Sequence, residues 1–189
     1  MKNQRRARGI SIIAICFFTF FYTSHSFAQN PTLGGIEFQA YPTGIIAGVA
    51  ADFPISSKGY IHSKVGVNIF DHRDLGEQDQ EEGNGYGFTL GYRQFFKEGL
   101  TGWRWGIKND LWLNSVDWEN TDEQGNETSG ETDITVLQPT AEISYVFSKG
   151  NLVFAPSIAF GMEWNIKTEG EPTGEGPIIL LGFQLSKAF

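Results

Sequence analysis

The sequence predicts an all-β protein: an eight-stranded antiparallel up-and-down barrel whose strands span a membrane. Three observations predict this fold class. Eight stretches alternate between bulky apolar residues and small or polar residues, as β-strands with two unlike faces do. The chain is rich in glycine and aromatic residues, with 23 glycines and 14% aromatic residues in 189 positions. Finally, long acidic connections alternate with short turns along the chain.

The clearest strand is predicted at residues 152–166. One face carries Leu152, Phe154, Phe160 and Trp164, whereas the opposite face carries small residues and Glu163. Seven further stretches with the same period predict strands at 35–41, 45–53, 60–70, 86–96, 103–112, 134–147 and 178–189. Two of these strands contain a mid-strand proline, Pro139 and Pro156, which removes a ladder donor. We therefore expect bulges or local kinks at both prolines.

The connections predict a barrel with two unlike ends. Long acidic loops are predicted at 71–85, 117–131 and 167–176, and strand parity places all three at the same end. The opposite end has the short connections at 54–59, 97–102 and 148–151. Long loops at one end and short turns at the other are typical of membrane barrels.

The two faces of each strand differ in size, and this predicts which face lies inside. An eight-stranded barrel has room for little more than packed side chains. The face rich in glycine, alanine and serine fits this lumen, and the bulky face fits lipid. A soluble ligand-binding barrel, with its apolar face inward, is the alternative.

Charged residues fall on the small-residue face, where nearly balanced acids and bases predict a lumen network of salt bridges, because a buried charge persists only when paired. The predicted members are Glu37, Asp52, Lys64, Arg93, Arg104, Lys108, Asp110, Glu142 and Glu163. We expect Glu163 to pair with Arg93, Arg104 or Lys108. A gated polar path through the barrel is the alternative to a filled lumen.

The N-terminus has the pattern of a secretory signal peptide. Four basic residues precede an apolar stretch of about 13 residues, which is shorter than the roughly 20 needed to cross a bilayer. Small residues before Gln29 predict cleavage after Ala28, leaving one barrel domain at 29–189. The only cysteine, Cys16, lies in this leader, so no disulfide is expected.

Charge limits the partners of the domain. The leader holds four of the 14 basic residues and none of the 22 acidic residues, which leaves 29–189 at a net charge of −12. Nucleic acid is excluded as a partner because phosphate contacts need a basic surface. We also expect no cofactor.

The signal peptide, the eight alternating strands and the final strand together resemble a known family, the small bacterial outer-membrane barrels such as OmpX and the membrane domain of OmpA. The resemblance covers 34–189. Its local motif is the apolar alternation of Leu181, Phe183 and Leu185 before the terminal Phe189, with Lys187 departing from it. The resemblance implies a monomer in a Gram-negative outer membrane, in contact with lipopolysaccharide and assembled by the barrel-assembly machinery. No peptidoglycan-binding domain is implied.

Candidate activities are few. Lipid-modifying barrel enzymes need a histidine with serine or acidic partners; His62 and His72 lack a convincing set in the sequence, and we expect no enzyme. The acidic loops could hold divalent cations through carboxylate oxygens, although no EF-hand spacing occurs. The expected role is structural or surface interaction through the acidic loops. A narrow gated channel and, more remotely, a lipid-modifying enzyme are the alternatives.

Overall fold

The computed structural model describes residues 30–72, 77–122 and 124–189, and in them the chain forms a closed barrel of eight antiparallel strands in sequence order. The predicted signal peptide and its cleavage site lie outside the described residues. The strands are β1 (Leu33–Tyr41), β2 (Gly44–Pro54), β3 (Gly59–Asp71), β4 (Gln80–Phe95), β5 (Gly102–Thr121), β6 (Glu127–Lys149), β7 (Leu152–Glu169) and β8 (Gly176–Ala188). None of the described residues forms a helix long and apolar enough to cross a membrane.

The barrel closes where the first and last strands pair. In this seam Leu33 lies opposite Ala188 and Ala40 lies opposite Leu181, so β1 is paired along nearly its whole length. Every strand therefore has two neighbours, which leaves no long free edge in the barrel wall. The predicted fold class is confirmed.

Large apolar side chains cover the outside of the barrel. One example from each strand is Phe38, Val49, Val65, Phe88, Ile107, Phe147, Phe160 and Leu181. Between 41% and 64% of the surface of each of these residues is accessible. These exposed side chains occur on all eight strands and together form an apolar band around the barrel, whereas soluble proteins expose only limited apolar patches. The predicted orientation, bulky side chains outward and small or polar side chains inward, is confirmed.

The two ends of the barrel differ as the loop pattern predicts. The turn end has the short connections at 55–58, 96–101 and 150–151, together with the described chain ends at Asn30 and Phe189. The opposite end, the loop end, carries the other connections. There β5 has 20 residues and β6 has 23, roughly twice the 9–11 that a bilayer requires. These two strands continue well beyond the apolar band.

Two of the predicted acidic loops contain parts of strands. β4 begins at Gln80, β5 continues to Thr121 and β6 begins at Glu127, all inside the ranges predicted as loops. Beyond the apolar band both faces of a strand meet water or polar groups, so the hydrophobic alternation disappears while the hydrogen-bonded ladder continues. This is why the sequence pattern ended the strands too early.

The two mid-strand prolines interrupt the ladder without changing its register. Pro139 pairs with Asn109 of β5, and Pro156 pairs with Phe183 of β8. On the shared β6–β7 side neither proline is paired, while the same register continues on both sides of each gap. The register of β6 and β7 shifts between Thr135 and Val136 instead. The prolines therefore cause local gaps, and the irregularity in register lies closer to the loop end.

Candidate functional site

The centre of the lumen holds a closed set of charged side chains. Eight of the nine predicted charged residues are at most 4% exposed: Glu37, Asp52, Lys64, Arg93, Arg104, Lys108, Asp110 and Glu142. This set, here named the central network, contains four acids and four bases. The formal charges cancel, as burial in a low-dielectric interior requires.

Arg93 is the hub of the central network. Its Nη2 donates to Glu37 Oε2 at 2.7 Å, and its Nη1 donates to Asp52 Oδ1 at 3.1 Å. Its Nε lies 3.1 Å from Glu142 Oε1. Nη1 also donates to the Gln184 side-chain oxygen at 2.7 Å. One guanidinium from β4 thus joins carboxylates of β1, β2 and β6 across the lumen.

The two lysines of the central network, Lys64 and Lys108, each lie between two carboxylates. Lys64 Nζ lies 3.3 Å from Glu37 Oε1 and 3.5 Å from Asp110 Oδ1. Lys108 Nζ donates to Glu142 Oε2 at 2.8 Å and lies 3.6 Å from Glu37 Oε1. Each ammonium therefore contacts two carboxylates, so its charge and its donors are used inside the barrel.

On the turn side, Asp52 of the central network contacts both Arg104 and His62, a buried residue next to the network. His62 Nδ1 lies 2.8 Å from Asp52 Oδ1, and its ring is fully buried. Arg104 donates to Asp52 Oδ2 at 3.5 Å and from Nε to Ser144 Oγ at 3.1 Å. His62 and Gln184 contact these charges although the set predicted from the sequence does not include them. Their positions on the small-residue face were the available signal, since that face points into the lumen, whereas their contacts with the charges depend on the register between strands.

Glu163 lies apart from the central network. It is half-buried near the loop end of β7, opposite Gly176, and lines a cavity of about 300 Å³ together with Tyr41, His72 and Gly174. In the described part of the chain, no ion pair joins Glu163 to any of the three cations expected for it. Its strand position explains this, because β7 places Glu163 nearer the loop end than the network.

Apolar side chains pack in the lumen on both sides of the central network. The loop-side layer comprises Ile46, Phe70, Trp112, Val116, Ile134, Val136, Ala159, Ile178 and Leu180. The turn-side layer comprises Leu33, Tyr60, Phe95, Val146, Val153, Ala155 and Ala188. Trp112 is fully buried and donates from Nε1 to Gln138 at 3.1 Å. The polar centre is thus enclosed between two apolar layers.

Glu81 organises the loop end above the loop-side layer. Its buried carboxylate accepts hydrogen bonds from the backbone N–H groups of Glu77 at 2.8 Å and Gln78 at 3.0 Å. Gly174 N also lies 3.2 Å from both of its oxygens, and His72 Nδ1 lies 3.0 Å from Oε2. One carboxylate therefore fastens two different loops over the mouth of the barrel.

The extended hairpin of β5 and β6 ends in a tight turn. The Asp122 carboxylate accepts hydrogen bonds from Asn126 Nδ2 and from the backbone N–H groups of Gln124 and Asn126, each at 2.8–2.9 Å. These hydrogen bonds, first of all that of the Asn126 side chain, lower the pKa of Asp122 below its usual range. At neutral pH the Asp122 carboxylate is therefore ionised and accepts these three hydrogen bonds.

Outward-facing acids form a row on this extension. Asp71 lies opposite Glu82, Glu82 opposite Asp117, and Asp117 opposite Glu131, so four neighbouring strands present carboxylates side by side. Directly opposed like charges repel one another. Among the described residues, no group of three or more histidine, aspartate or glutamate side chains is arranged to hold a metal ion.

The residues of the predicted C-terminal motif lie on the outer face of the barrel. Leu181, Phe183, Leu185 and Phe189 are between 39% and 74% exposed and face the surroundings of the barrel. Lys187 lies on the same outward face, with its Nζ 5.4 Å from the centre of the Phe189 ring. The last strand therefore presents the predicted motif on an accessible surface next to the seam.

Comparisons with known proteins agree with this architecture. No protein-family model matches the chain, and no curated protein matches it. Among solved structures, the N-terminal β-barrel domain of Pseudomonas aeruginosa OprF matches with a TM-score of 0.50 at 14% identity, over 84% of this chain and 98% of that domain.

Two further solved structures are also similar. Neisserial surface protein A matches with a TM-score of 0.48 at 11% identity, over 84% of this chain and 96% of its own. The attachment invasion locus protein Ail of Yersinia pestis matches with a TM-score of 0.48 at 9% identity, over 84% of this chain and 99% of its own. The match to the OprF domain and the closed ring of eight strands together show the fold. The chain has the fold of the small eight-stranded outer-membrane β-barrels.

Proposed function

We propose that this protein is an outer-membrane barrel of a Gram-negative bacterium that acts through its outer surface, not by conducting solutes. The observation that carries the proposal is the central network between its two apolar layers. On this proposal the turn end faces the periplasm and the loop end faces the exterior.

The energetic cost of moving an ion through the barrel favours a closed lumen. A hydrated ion would have to lose water in two apolar layers, and it would also have to separate Arg93 from carboxylates at 2.7–3.1 Å. Leaving a buried charge without its partner costs several kcal/mol. These two barriers act in series, which favours a plug over a pore.

The extended strands favour a role at the outer surface. β5 and β6 project beyond the apolar band and carry outward acids, among them Asp117 and Glu131. Such a surface suits a cationic partner surface, or divalent cations that bridge it to lipopolysaccharide phosphates. The enclosed barrel then serves as a rigid membrane anchor for this hairpin.

Planar-bilayer recording tests the closed lumen. We expect no steps of conductance from the purified barrel in high salt. Discrete openings that Arg93→Gln enlarges would instead support the alternative, a narrow gated channel, and would overturn the proposal. A variant at an outward position, Val65→Ala, serves as the control because it changes only the lipid-facing surface.

Cell fractionation tests the proposed location. We expect the protein in the outer-membrane fraction, with an N-terminus beginning at Gln29 after removal of residues 1–28. Recovery in the soluble periplasmic fraction would contradict the proposal. Lipid A composition is expected to stay unchanged when the gene is deleted, whereas a loss of one acyl chain or its gain would favour a lipid-modifying enzyme.

A further inference from the structure

The turn end of the barrel differs sharply in charge from the loop end. Within the described residues, the strand ends and short connections there carry four lysines, Lys58, Lys97, Lys149 and Lys187, and one acidic side chain, Glu98. Glu98 already accepts a hydrogen bond from Ser57 at 3.0 Å. The turn end is therefore a cationic rim directly beside the apolar band.

Two of these lysines are brought together by strand register. Lys149 of β6 lies opposite Leu152 of β7, and Leu152 lies opposite Lys187 of β8. All three residues are exposed on the outward face. Adjacent strands are about 4.8 Å apart, so the two lysine backbones are roughly 10 Å apart with one leucine between them.

Among the described residues, neither ammonium has an ion-pair partner. In the described part of the chain, no carboxylate lies within 4.0 Å of Lys149 Nζ or Lys187 Nζ. Lys187 Nζ is 5.4 Å from the ring centre of Phe189, which keeps the side chain close to the barrel wall. Two adjacent cations without an anionic partner favour an anionic ligand between them.

The surface next to this lysine pair is apolar. Phe147 and Phe154 pair across β6 and β7 with ring centres 6.4 Å apart, and Phe154 lies opposite Leu185 of β8. The exposed fractions of these three side chains lie between 43% and 52%. Acyl chains can lie along this strip while a headgroup reaches the two ammoniums.

We propose that Lys149 and Lys187, with Leu152 between them, bind the phosphate headgroup of an anionic phospholipid whose acyl chains cover Phe147, Phe154 and Leu185. The site lies on the outer wall at the turn end, apart from the acidic hairpin. An anionic lipid in the adjoining leaflet thereby fixes the depth of β6–β8 in the membrane.

Native mass spectrometry of the detergent-solubilised protein tests this proposal. The probes are phosphatidylglycerol and, as a zwitterionic reference, phosphatidylethanolamine with the same acyl chains. We expect the parent protein to retain phosphatidylglycerol preferentially. The double variant Lys149→Gln/Lys187→Gln is expected to bind it about thirtyfold more weakly, since each lysine near a membrane surface contributes about 1 kcal/mol.

A matched double variant controls for net charge. Lys58→Gln/Lys97→Gln removes the same two charges from the other two turns, and its lipid preference is expected to stay as in the parent protein. Lys149→Arg/Lys187→Arg is expected to keep the preference too, because both cations remain. Equal weakening by the two glutamine pairs would show a diffuse charge effect and would overturn the site.

A soluble probe separates a lipid from free phosphate. Glycerol phosphate at the same concentration as phosphatidylglycerol is expected not to displace the lipid, because it lacks the acyl chains that contact Phe154 and Leu185. Full displacement would mean that the lysines bind phosphate alone and would overturn the lipid assignment. Gel mobility before and after heating verifies that each variant is folded. We expect all variants to fold, because both lysines are exposed.

Discussion

At the scale of single residues, the charged side chains in the lumen can be buried because each is paired with an opposite charge. Arg93 contacts three carboxylates, and each lysine of the central network contacts two. Because no partner of these charges is solvated, the loss of one member strands the others. The network is therefore a cooperative unit, and its charge balance is a condition for burial.

Removal of the hub should destabilise the barrel. Arg93→Met leaves Glu37, Asp52 and Glu142 short of a cation, so the free energy of unfolding should fall by about 3–5 kcal/mol. Urea titration in lipid vesicles, followed by gel mobility of unheated samples, measures this change. Lys97→Met, at an exposed turn position, is the control and should have no measurable effect. A stability equal to that of the parent protein would contradict the paired network.

Glu81 is a second residue with a specific structural role, because its carboxylate holds two loops together. Glu81→Gln weakens the acceptor for Gln78 and Gly174, which should speed hydrogen exchange of these two amides about tenfold, as the loss of a charge-assisted hydrogen bond implies. The neighbouring Glu82→Gln changes an outward carboxylate on the same strand and should leave both rates unchanged. Equal exchange rates in the two variants would exclude a fastening role for Glu81.

At the scale of elements, close backbone approach decides which residues the strands can carry. The seam between β1 and β8 contains Gly35 on the inward face, where an added Cβ would lie 2.0 Å from the Leu185 carbonyl oxygen. Gly34 is its outward neighbour, where the nearest atom is a Phe189 ring carbon at 3.3 Å. The same substitution therefore meets rigid backbone at one position and a movable ring at the next.

A glycine-to-alanine substitution is expected to change the free energy of unfolding differently at these two positions. Gly35→Ala should lower the free energy of unfolding by about 1–3 kcal/mol, because the seam must shift to admit the methyl group. Gly34→Ala should change it by less, because the Phe189 side chain can rotate away. Urea midpoints of the two variants in vesicles provide the comparison. A larger loss for Gly34→Ala would mean that the seam is not paired in this register.

At the scale of the whole molecule, the two ends are chemically opposite. The loop end carries the rows of carboxylates on β3–β6, and the turn end carries the four lysines beside the apolar band. Outer-membrane barrels have their long loops outside the cell and their short turns in the periplasm, which predicts one orientation for this barrel. The extended β5–β6 hairpin and the cationic rim are then on opposite sides of the membrane.

Site-directed labelling tests this orientation on intact cells. The only cysteine, Cys16, lies in the predicted leader, so a single introduced cysteine is a unique label site. Gln124→Cys, near the exposed tip of the hairpin, should react with an impermeant maleimide on intact cells. Asn151→Cys, in an exposed turn at the opposite end, should react only after the outer membrane is permeabilised. The reverse pattern would invert the proposed orientation.

Much of the fold could be predicted because its signals are local. The alternation in 152–166 places Phe154 and Phe160 outward. The same period of two in other strands places Glu142 and Arg93 inward. The predicted strands at 86–96 and 103–112 were too short, because Gln80 and Thr121 lie where both faces are polar and the period vanishes. The period also does not predict the apolar loop-side layer around Trp112, because each strand contributes at most two residues to it.

The sequence by itself determined the number of strands, the face of each strand that meets lipid, and the residues available to the lumen. These properties follow from period-2 patterning, which each strand carries independently of the others. Only the tertiary structure decided which charges meet, that Glu163 lies apart from them, that His62 joins them, and that Lys149 and Lys187 flank Leu152. Those contacts depend on the register between strands and on closure of the barrel, which couple residues far apart in the chain.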